Sequence, residues 1–245
     1  MRSYKEGIAY QYLMETKYDR VSILHRDDFE PVPRPPVYKI YADAPKTQLP
    51  KPLFGETDSL WGILNQRRSR RRYIGAPISM TTLATLLWAT QGITLSASGY
   101  QFRTAPSAGA LYPVETYLSV HEVEGVKQGI YHFNVFDFAL EEIVLGNFGK
   151  HLTHAALDQA MVGRGAVVFI WTGVILRSMW KYRNRCLRYI CMDAGHVAQN
   201  LQLAATALGL GCCTIGAFFD EEINEVLEVD GEEETTIYLA TVGKL

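Results

Sequence analysis

Cysteine is scarce in this chain of 245 residues, and the four cysteines form no CxxC pair: Cys186, Cys191, Cys212 and Cys213. Small secreted domains that depend on disulfides carry many more cysteines at paired spacings. We therefore expect reduced thiols, most of which pack in the interior, and a cytoplasmic protein.

The chain also lacks an excess of charge of either sign. Its 24 basic and 26 acidic residues give a formal net charge of −2, and hydrophobic types make up 48% of the sequence. A near-neutral chain has no overall field that attracts polyanions, so a nucleic acid would need a local basic patch. The composition is typical of a globular protein with a core of useful size, and we expect no nucleic-acid partner.

No apolar run is long and uninterrupted enough for a membrane helix. The best candidate, residues 194–219, carries no Asp, Glu, Lys or Arg, but polar side chains and glycines interrupt it. A spanning helix needs about 20 predominantly apolar residues. The first 20 residues alternate charged and aromatic side chains, which is not the pattern of a secretory signal or transit peptide. We therefore expect no membrane partner.

Most of the prolines are concentrated in residues 30–54. Proline fixes the backbone and removes a hydrogen-bond donor, so this stretch predicts an extended segment that wraps over other parts of the protein. We expect an extended N-terminal arm over residues 1–55 and one domain over residues 56–245.

Helices and strands alternate after this arm. Asp58 or Ser59 can cap a helix that runs to about residue 68, and Ser79 can cap a second one that ends near Gly92. Two helices are thus expected before any strand. Short β-branched and aromatic runs then predict strands: ETYLSV, GIYHF, ALEEIVL, AVVFIW, CCTIGAF and TTIYLATV. This pattern predicts an α+β fold.

A nearly uncharged helix is predicted to start near Asp193. Apolar residues recur at steps of three and four: Ala194, Val197, Ala198, Leu201, Ala205 and Leu208. Polar residues form a stripe at similar spacing: His196, Gln199, Gln202 and Thr206. We expect this helix in the middle of the domain or against a second subunit, because neither side suits bulk water.

The densest charged feature is RRSRRRY, residues 67–73, with five arginines and two hydroxyl groups around a helix end. Guanidinium forks and a hydroxyl suit a phosphate monoester. A solvated basic face is the alternative. Nucleic-acid binding is a weaker interpretation, because no aromatic platform interleaves the arginines.

A loop of small residues, RTAPSAGALYP at 103–113, leads directly into a predicted strand. Small side chains let a flat ring approach the backbone, and the Ser107 hydroxyl can meet the polar edge of such a ring. A plain connection between elements is the alternative interpretation.

Two further segments could contribute to chemistry. Gly216 and Ala217 form a turn after a short strand, where backbone N–H groups can approach an electron-rich ring nitrogen. Lys181 and Tyr182 are adjacent proton-transfer groups, although such a pair is more often a surface cation beside a packing ring. The histidines have no spacing that closes a metal site, so no metal is expected.

Taken together, these segments resemble the nitroreductase superfamily, and most closely its SagB-type dehydrogenases. The motifs follow the family's order from about Thr16 to Lys244: RRSRRRY, RTAPSAGALYP, KYRNRCLRY, DAGHVAQNLQLAATALGLG and IGAF. The resemblance implies an α+β sandwich with a central mixed or antiparallel sheet flanked by helices. It also implies an intertwined homodimer with one FMN in each of two clefts at the subunit interface.

The resemblance further implies which residues act. Those expected at the FMN phosphate and ribityl chain are Arg67, Arg68, Ser69 and Arg71. Those expected along the isoalloxazine ring, from the opposite subunit, are Pro106, Ser107, Ala108 and Gly109. Gly216 and Ala217 match the turn that approaches the flavin N5. Lys181 and Tyr182 match the pair that supports proton removal in azoline-oxidising members.

The chain departs from the family pattern at two places. Many members continue past the last strand with a basic residue that reaches the phosphate, whereas only Lys244 could fill that role here. The loop has Gly109, Ala110 and Leu111 where ordinary nitroreductases often have Asn and Gln. The second departure favours the SagB-type branch.

We therefore expect an FMN-dependent oxidoreductase that dehydrogenates an azoline-like ring in a small or peptidic substrate, with a cyclodehydratase as a candidate partner. One alternative is an NAD(P)H-dependent reductase of nitro or quinone compounds. Another is a non-catalytic flavin-binding module within a larger complex.

Overall fold

The computed structural model describes residue 6 and residues 8–16, 33–52, 59–97 and 99–245. The α-helices in these residues are α1 (Ile8–Glu15), α2 (Leu60–Gln66), α3 (Met80–Gln91), α4 (Gly149–Ala155), α5 (Met161–Arg164), α6 (Ile175–Tyr182), α7 (Cys186–Ala207) and α8 (Asp220–Leu227). The strands are β1 (Lys46–Gln48), β2 (Ile93–Ala97), β3 (Tyr100–Arg103), β4 (Val114–Val120), β5 (Gly129–Asn134), β6 (Ala139–Leu145), β7 (Val167–Val174), β8 (Leu210–Ile215) and β9 (Glu234–Lys244).

Seven strands form one sheet in the order β1-β6-β5-β4-β7-β9-β8, and every neighbouring pair is antiparallel. Strands β2 and β3 form a separate antiparallel hairpin. Each of the six predicted strand segments overlaps an observed strand. The predicted α+β class with an antiparallel sheet flanked by helices is confirmed.

Strand β7 shows why the sheet is covered on both faces. Phe169 and Trp171 pack with residues of α3 and α7, whereas Val168 and Ile170 pack with residues of α4, α5 and α8. Successive side chains of a strand point to opposite faces, so an uninterrupted apolar strand needs helices on both sides. The result is a helix–sheet–helix sandwich.

Serine caps begin α2 and α3, the two helices directly before the β2–β3 hairpin. The Ser59 hydroxyl accepts a hydrogen bond from Gly62 N at 3.2 Å, and the Ser79 hydroxyl accepts one from Thr82 N at 3.1 Å. Each bond satisfies an amide that has no partner within the helix. The Ser79 cap is confirmed, as is Ser59 of the two candidates, while Asp58 lies outside the described residues.

The order of the first elements corrects one prediction. Strand β1 precedes both capped helices and pairs with β6, with Lys46 opposite Glu141. The expectation of two helices before any strand is therefore wrong, because part of the proline-rich stretch adds an edge strand to the sheet. Of the predicted arm, residues 1–5, 7, 17–32 and 53–55 lie outside the described residues.

Helix α7 is the central helix of one face, and it begins seven residues before the predicted start at Asp193. Its small buried residues lie close to α3 and β8: Ala194, Ala198 and Ala205. In the single chain the opposite side of α7 is exposed and uncharged, including Met192, Gly195 and Gln199. One side of the helix is therefore core, and the other has no cover from this chain's described residues.

Candidate active site

The arginine segment, residues 67–73, runs along the edge strand β8. Ser69 forms a parallel bridge with Cys212, and Arg70 N donates a hydrogen bond to Cys212 O at 2.9 Å. At the end of the segment, the Tyr73 hydroxyl lies 2.6 Å from Thr241 Oγ1. Helix α2 ends just before the segment. Backbone pairing with β8 and the Tyr73 contact therefore hold the segment in place.

The arginine side chains are largely exposed in the single chain. Arg67 Nη1 donates to Gln202 Oε1 of α7 at 2.9 Å, and Arg68 Nη1 folds back onto Asn65 O and Arg67 O. Arg68, Ser69 and Arg71 are exposed. Among the residues that the structure describes, no carboxylate pairs with any of the five arginines. The segment thus offers guanidinium donors to an anion.

Gly216, Ala217 and Lys244 lie at the strands that border this segment. Gly216 and Ala217 follow the end of β8 and are exposed. Lys244 pairs with Leu210 of β8, and its carbonyl accepts a hydrogen bond from Ile74 N at 3.0 Å. The arginine segment, the 216–217 turn and Lys244 constitute the arginine half-site.

The fit of a flat ring can be judged at Gly216. A Cβ added there would meet Tyr238 Cε2 at 3.7 Å, which is an ordinary van der Waals distance. The packing of the chain itself therefore does not require glycine at this position. A glycine that internal packing does not require suits the close approach of a ligand to the backbone. These residues fit a phosphate-bearing flavin.

The platform loop, residues 103–113, is held by a buried carboxylate of α7. The Ser107 hydroxyl donates to Asp193 Oδ2 at 2.5 Å, and Ala108 N donates to Asp193 Oδ1 at 3.3 Å. Ser107 Oγ also accepts a hydrogen bond from Tyr112 N at 2.8 Å. Burial raises the pKa of Asp193, while the bonds from Ser107 and Ala108 oppose that rise.

Gly109 is the point where the loop meets the predicted catalytic pair. A Cβ added to Gly109 would lie 2.6 Å from Lys181 Nζ and 2.7 Å from the Tyr182 hydroxyl oxygen. Gly109 has φ +63°, and Ala110 and Tyr112 also have positive φ, at 53° and 48°. Non-glycine residues held in this region cost about 1–3 kcal/mol each and persist only when surrounding contacts impose them.

Lys181 and Tyr182 lie at the end of α6. The Lys181 Nζ is 5.4 Å from the centroid of the Tyr182 ring, and that ring lies 4.4 Å from the ring of Tyr189. Lys181 is exposed and Tyr182 is half-buried. The platform loop and this pair constitute the loop half-site.

The two half-sites contact different places on α7. Arg67 reaches Gln202, whereas the platform loop is bonded to Asp193, nine residues earlier. At 1.5 Å per residue these points are about 14 Å apart along the helix. The structure therefore places the arginine segment along β8 and Lys244, and it brings Gly109 together with Lys181 and Tyr182. Gly216 and Ala217 follow the other end of β8, where Ala217 O accepts a hydrogen bond from Gln159.

The sequence motifs did not indicate a role for Asp193, Arg177 or Glu115. A signal for Asp193 was present, because it is the last charged side chain before the charge-free residues 194–219. Arg177 and Glu115 gave no comparable signal, since each sits within an element whose burial is evident only in three dimensions.

Two classes of site have no candidate in the described ranges. No group of three His, Cys, Asp or Glu residues there could hold a metal ion. None of the helices there has the length and apolar character needed to cross a bilayer.

Comparison with known proteins finds relatives within one family. The nitroreductase family model matches residues 64–244. A nitroreductase of Methanocaldococcus jannaschii is 38% identical over 189 residues, 77% of this chain and 92% of its own length. The trifolitoxin-processing protein TfxB of Rhizobium leguminosarum bv. trifolii is 33% identical over 147 residues, 58% of this chain and 39% of its own length. The relation to TfxB agrees with the predicted SagB-type branch.

Solved structures share the fold. A nitroreductase from Anabaena variabilis superposes with a TM-score of 0.77 at 26% identity, over 96% of this chain and 46% of that one. The Escherichia coli microcin synthetase McbBCD complex with truncated pro-MccB17 bound has a chain that superposes with a TM-score of 0.62 at 20% identity, over 96% of this chain and 86% of that one. The chain thus spans less than half the length of TfxB and of the Anabaena protein. By the match over residues 64–244 and by its fold, the chain belongs to the nitroreductase family.

Proposed function

We propose that this nitroreductase-family protein is an FMN-dependent oxidoreductase that dehydrogenates an azoline-like ring in a peptide. The observation that carries the proposal is the convergence of Lys181 Nζ and the Tyr182 hydroxyl on Gly109 of the platform loop. Two proton-transfer groups thus meet at the loop that the family resemblance assigns to the flavin ring. The match to a trifolitoxin-processing protein supports a peptide as the substrate class.

The arginine half-site would hold the phosphate end of FMN. Arg67, Arg68 and Arg71 supply guanidinium donors, Ser69 supplies a hydroxyl, and Lys244 adds an ammonium group. The 216–217 turn would present backbone N–H groups to the ring. Bound FMN supplies the two-electron step of the dehydrogenation.

The loop half-site would act on the substrate. Pro106, Ser107, Ala108 and Gly109 would line one side of the ring, and Asp193 keeps the Ser107 hydroxyl and the Ala108 amide in place. Lys181 or Tyr182 would accept the proton that leaves the carbon of the azoline ring. Contact at Gly109 orients both groups toward the same point.

A second copy of the chain would complete the site. Helix α2 lies against α7 and exposes apolar side chains, with Trp61 77% exposed and Met192 on the neighbouring helix 56% exposed. Two cavities of the described chain lie elsewhere, about 700 Å³ beside α4 and α5 and about 430 Å³ between α1 and α6. Neither includes the arginine segment or the platform loop. A homodimer that covers α2 and α7 would unite half-sites from two subunits.

The chain would divide into an N-terminal arm, residues 1–55, and a flavin-binding domain, residues 56–245. A cyclodehydratase would be its partner, which the fold shared with a chain of a microcin synthetase complex supports. NAD(P)H would serve as an electron donor, and the protein would lie in the cytoplasm.

Substitution of Lys181 tests the proposal. We expect Lys181→Ala to lower the rate of thiazoline oxidation in a peptide by about 10²- to 10⁴-fold, the usual contribution of a positioned acid–base group, without loss of bound FMN. Lys150→Ala, on the exposed side of α4, is the matched control and should retain activity. Unchanged peptide oxidation in FMN-loaded Lys181→Ala would remove the catalytic assignment. NAD(P)H-driven reduction of quinones that is equal in both variants would then favour the reductase alternative.

A further inference from the structure

Arg177 occupies the position one helical turn before Lys181 on α6. Residues at positions i and i+4 share one side of a helix, so the two side chains project toward the same neighbouring segment. Arg177 is 5% exposed, whereas Lys181 is exposed. The segment next to both is the platform loop, which Arg177 contacts at Tyr112 and Lys181 approaches at Gly109.

The Arg177 guanidinium joins three separate parts of the chain. Its Nε donates to Pro36 O of the proline-rich stretch at 2.8 Å, and its Nη1 donates to Tyr112 O of the platform loop at 3.3 Å. The same Nη1 donates to Glu115 Oε1 of β4. Arginine can do this because its planar fork offers several donors in fixed directions.

Glu115 is a fixed partner for Arg177. His132 Nε2 lies 3.2 Å from Glu115 Oε2, and His132 Nδ1 lies 2.9 Å from Glu141 Oε2. Glu141 also accepts a hydrogen bond from Asn134 Nδ2 at 2.8 Å. Strands β4, β5 and β6 carry these residues, so the carboxylate is held by the sheet itself. A buried charge with such partners resists displacement, because an unpaired charge there is costly.

The contact of Arg177 with Tyr112 also constrains the position of Gly109. The two residues are three apart, and the turn between them is closed by the bond from Tyr112 N to Ser107 Oγ. Tyr112 and Ala110 hold positive φ values, which surrounding contacts must impose. The guanidinium therefore fixes the Tyr112 end of the turn, and Asp193 fixes its Ser107 end.

We propose that Arg177 is a positioning residue that holds the platform loop and the end of α6 in the relative position that places Lys181 against Gly109. Through Pro36 it also holds the N-terminal arm against these two elements. This inference rests on the proposed function only in its effect on turnover, because the placement of the loop is measurable without substrate. A purely structural ion pair is the competing interpretation.

The test compares Arg177→Lys with Arg164→Lys in the purified full-length protein. Arg164 is exposed on α5 and lies outside this network, so its variant is a matched control. Lysine keeps the charge but cannot bond Pro36, Tyr112 and Glu115 together. We expect kcat for peptide oxidation to fall by about 10- to 100-fold with KM within about twofold, as for a misplaced reacting group. Backbone amide exchange should accelerate in residues 103–113 and 175–182, and not in β7.

Two results would overturn the proposal. One is unchanged kcat and unchanged loop exchange in Arg177→Lys. The other is faster exchange by the same factor in β7 and in the loop, which marks a general structural role. If Arg177→Lys fails to fold, the double variant Arg177→Met with Glu115→Gln removes both charges and leaves neither unpaired. The same pattern of local exchange is expected there, and its absence counts against the proposal.

The exchange measurement also separates this inference from the proposed function. If Lys181→Ala retains peptide oxidation, the catalytic assignment fails, yet local loop exchange in Arg177→Lys still supports the positioning role. If Lys181→Ala loses activity while Arg177→Lys changes neither kcat nor exchange, the positioning role alone fails.

Discussion

At Gly109, backbone conformation and neighbouring side chains both exclude a Cβ. The residue has φ +63°, and a methyl group would lie 2.6 Å from Lys181 Nζ and 2.7 Å from the Tyr182 hydroxyl oxygen. We expect Gly109→Ala to keep the fold at a cost of about 1 kcal/mol for the positive φ. Because the proton-transfer groups must move away, peptide oxidation should fall about tenfold or more.

Gly99→Ala is the matched control for this substitution. Gly99 has φ +77° in the β2–β3 hairpin, but a Cβ there meets nothing within 4 Å. Thermal unfolding of both variants should therefore shift by similar amounts, while only Gly109→Ala loses turnover. Equal activity in the two variants would contradict the proposed role of Lys181 and Tyr182 in turnover.

Single residues also show where sequence reasoning succeeds. The adjacency of Lys181 and Tyr182 and the small residues around Gly109 are visible in the sequence, and the structure brings them to one point. The contact of Asp193 with Ser107 is not visible, because the two are 86 positions apart. A short motif reports local chemistry, whereas a buried partner is supplied by the packing of distant elements.

At the scale of elements, His132 of β5 links the neighbouring strands β4 and β6. Burial lowers its pKa, but hydrogen bonds and charges from Glu115 and Glu141 outweigh burial and raise it above the ordinary value of 6.5. Burial would raise the pKa of Glu115, yet Arg177 and His132 lower it to about 2. The protonated histidine and the ionised carboxylate are thus the forms that the folded state stabilises.

The sign of the pH dependence follows from these two shifts. A raised histidine pKa stabilises the fold fully below pH 6.5 and progressively less as pH rises through the folded-state value. A lowered Glu115 pKa stabilises the fold above its ordinary value of 4.5, and this contribution is lost as pH falls toward 2. We expect wild type to exceed His132→Gln in stability most between about pH 5 and 6 and to lose that advantage as pH rises through the folded-state pKa of His132. Urea unfolding across this range measures it, and a constant difference would refute the charged bridge.

Elements differ in how far the sequence specifies them. Ser79 and the apolar steps after it predict α3, and β-branched runs predict the inner strands, since local propensity and burial agree there. Helix α7 begins at Cys186, seven residues before the predicted start. The sequence pattern missed this start because the polar and aromatic residues before Asp193 obscure it. Strands β1 and β2 are short and largely exposed, so they lack the pattern of a half-buried strand.

At the scale of the whole molecule, the proposed subunit interface would account for both the exposed, uncharged side of α7 and the exposed apolar residues of α2. Large contiguous patches of exposed apolar surface are typical of interaction sites. The sequence predicted that α7 faces either the domain interior or a second subunit, and in the single chain one side of it remains exposed. In the proposed dimer, which chain supplies each half-site depends on assembly, which no local sequence pattern determines.

The most direct test of a flavin site shared between subunits is complementation between two inactive variants. Arg71→Glu should disable the arginine half-site and Lys181→Ala the loop half-site. If each site combines half-sites of two chains, a mixed dimer contains one site with both half-sites intact. Random pairing then restores about a quarter of wild-type peptide oxidation.

The matched control is co-expression of Arg71→Glu with Arg68→Glu, which alter the same half-site and should restore nothing. Equal co-expression of Arg71→Glu and Lys181→Ala, followed by the rate of peptide oxidation, is the deciding measurement. Recovery to about a quarter of the wild-type rate is the predicted result. Activity no higher than that of either variant alone, in dimers shown to contain both chains, would contradict the shared site.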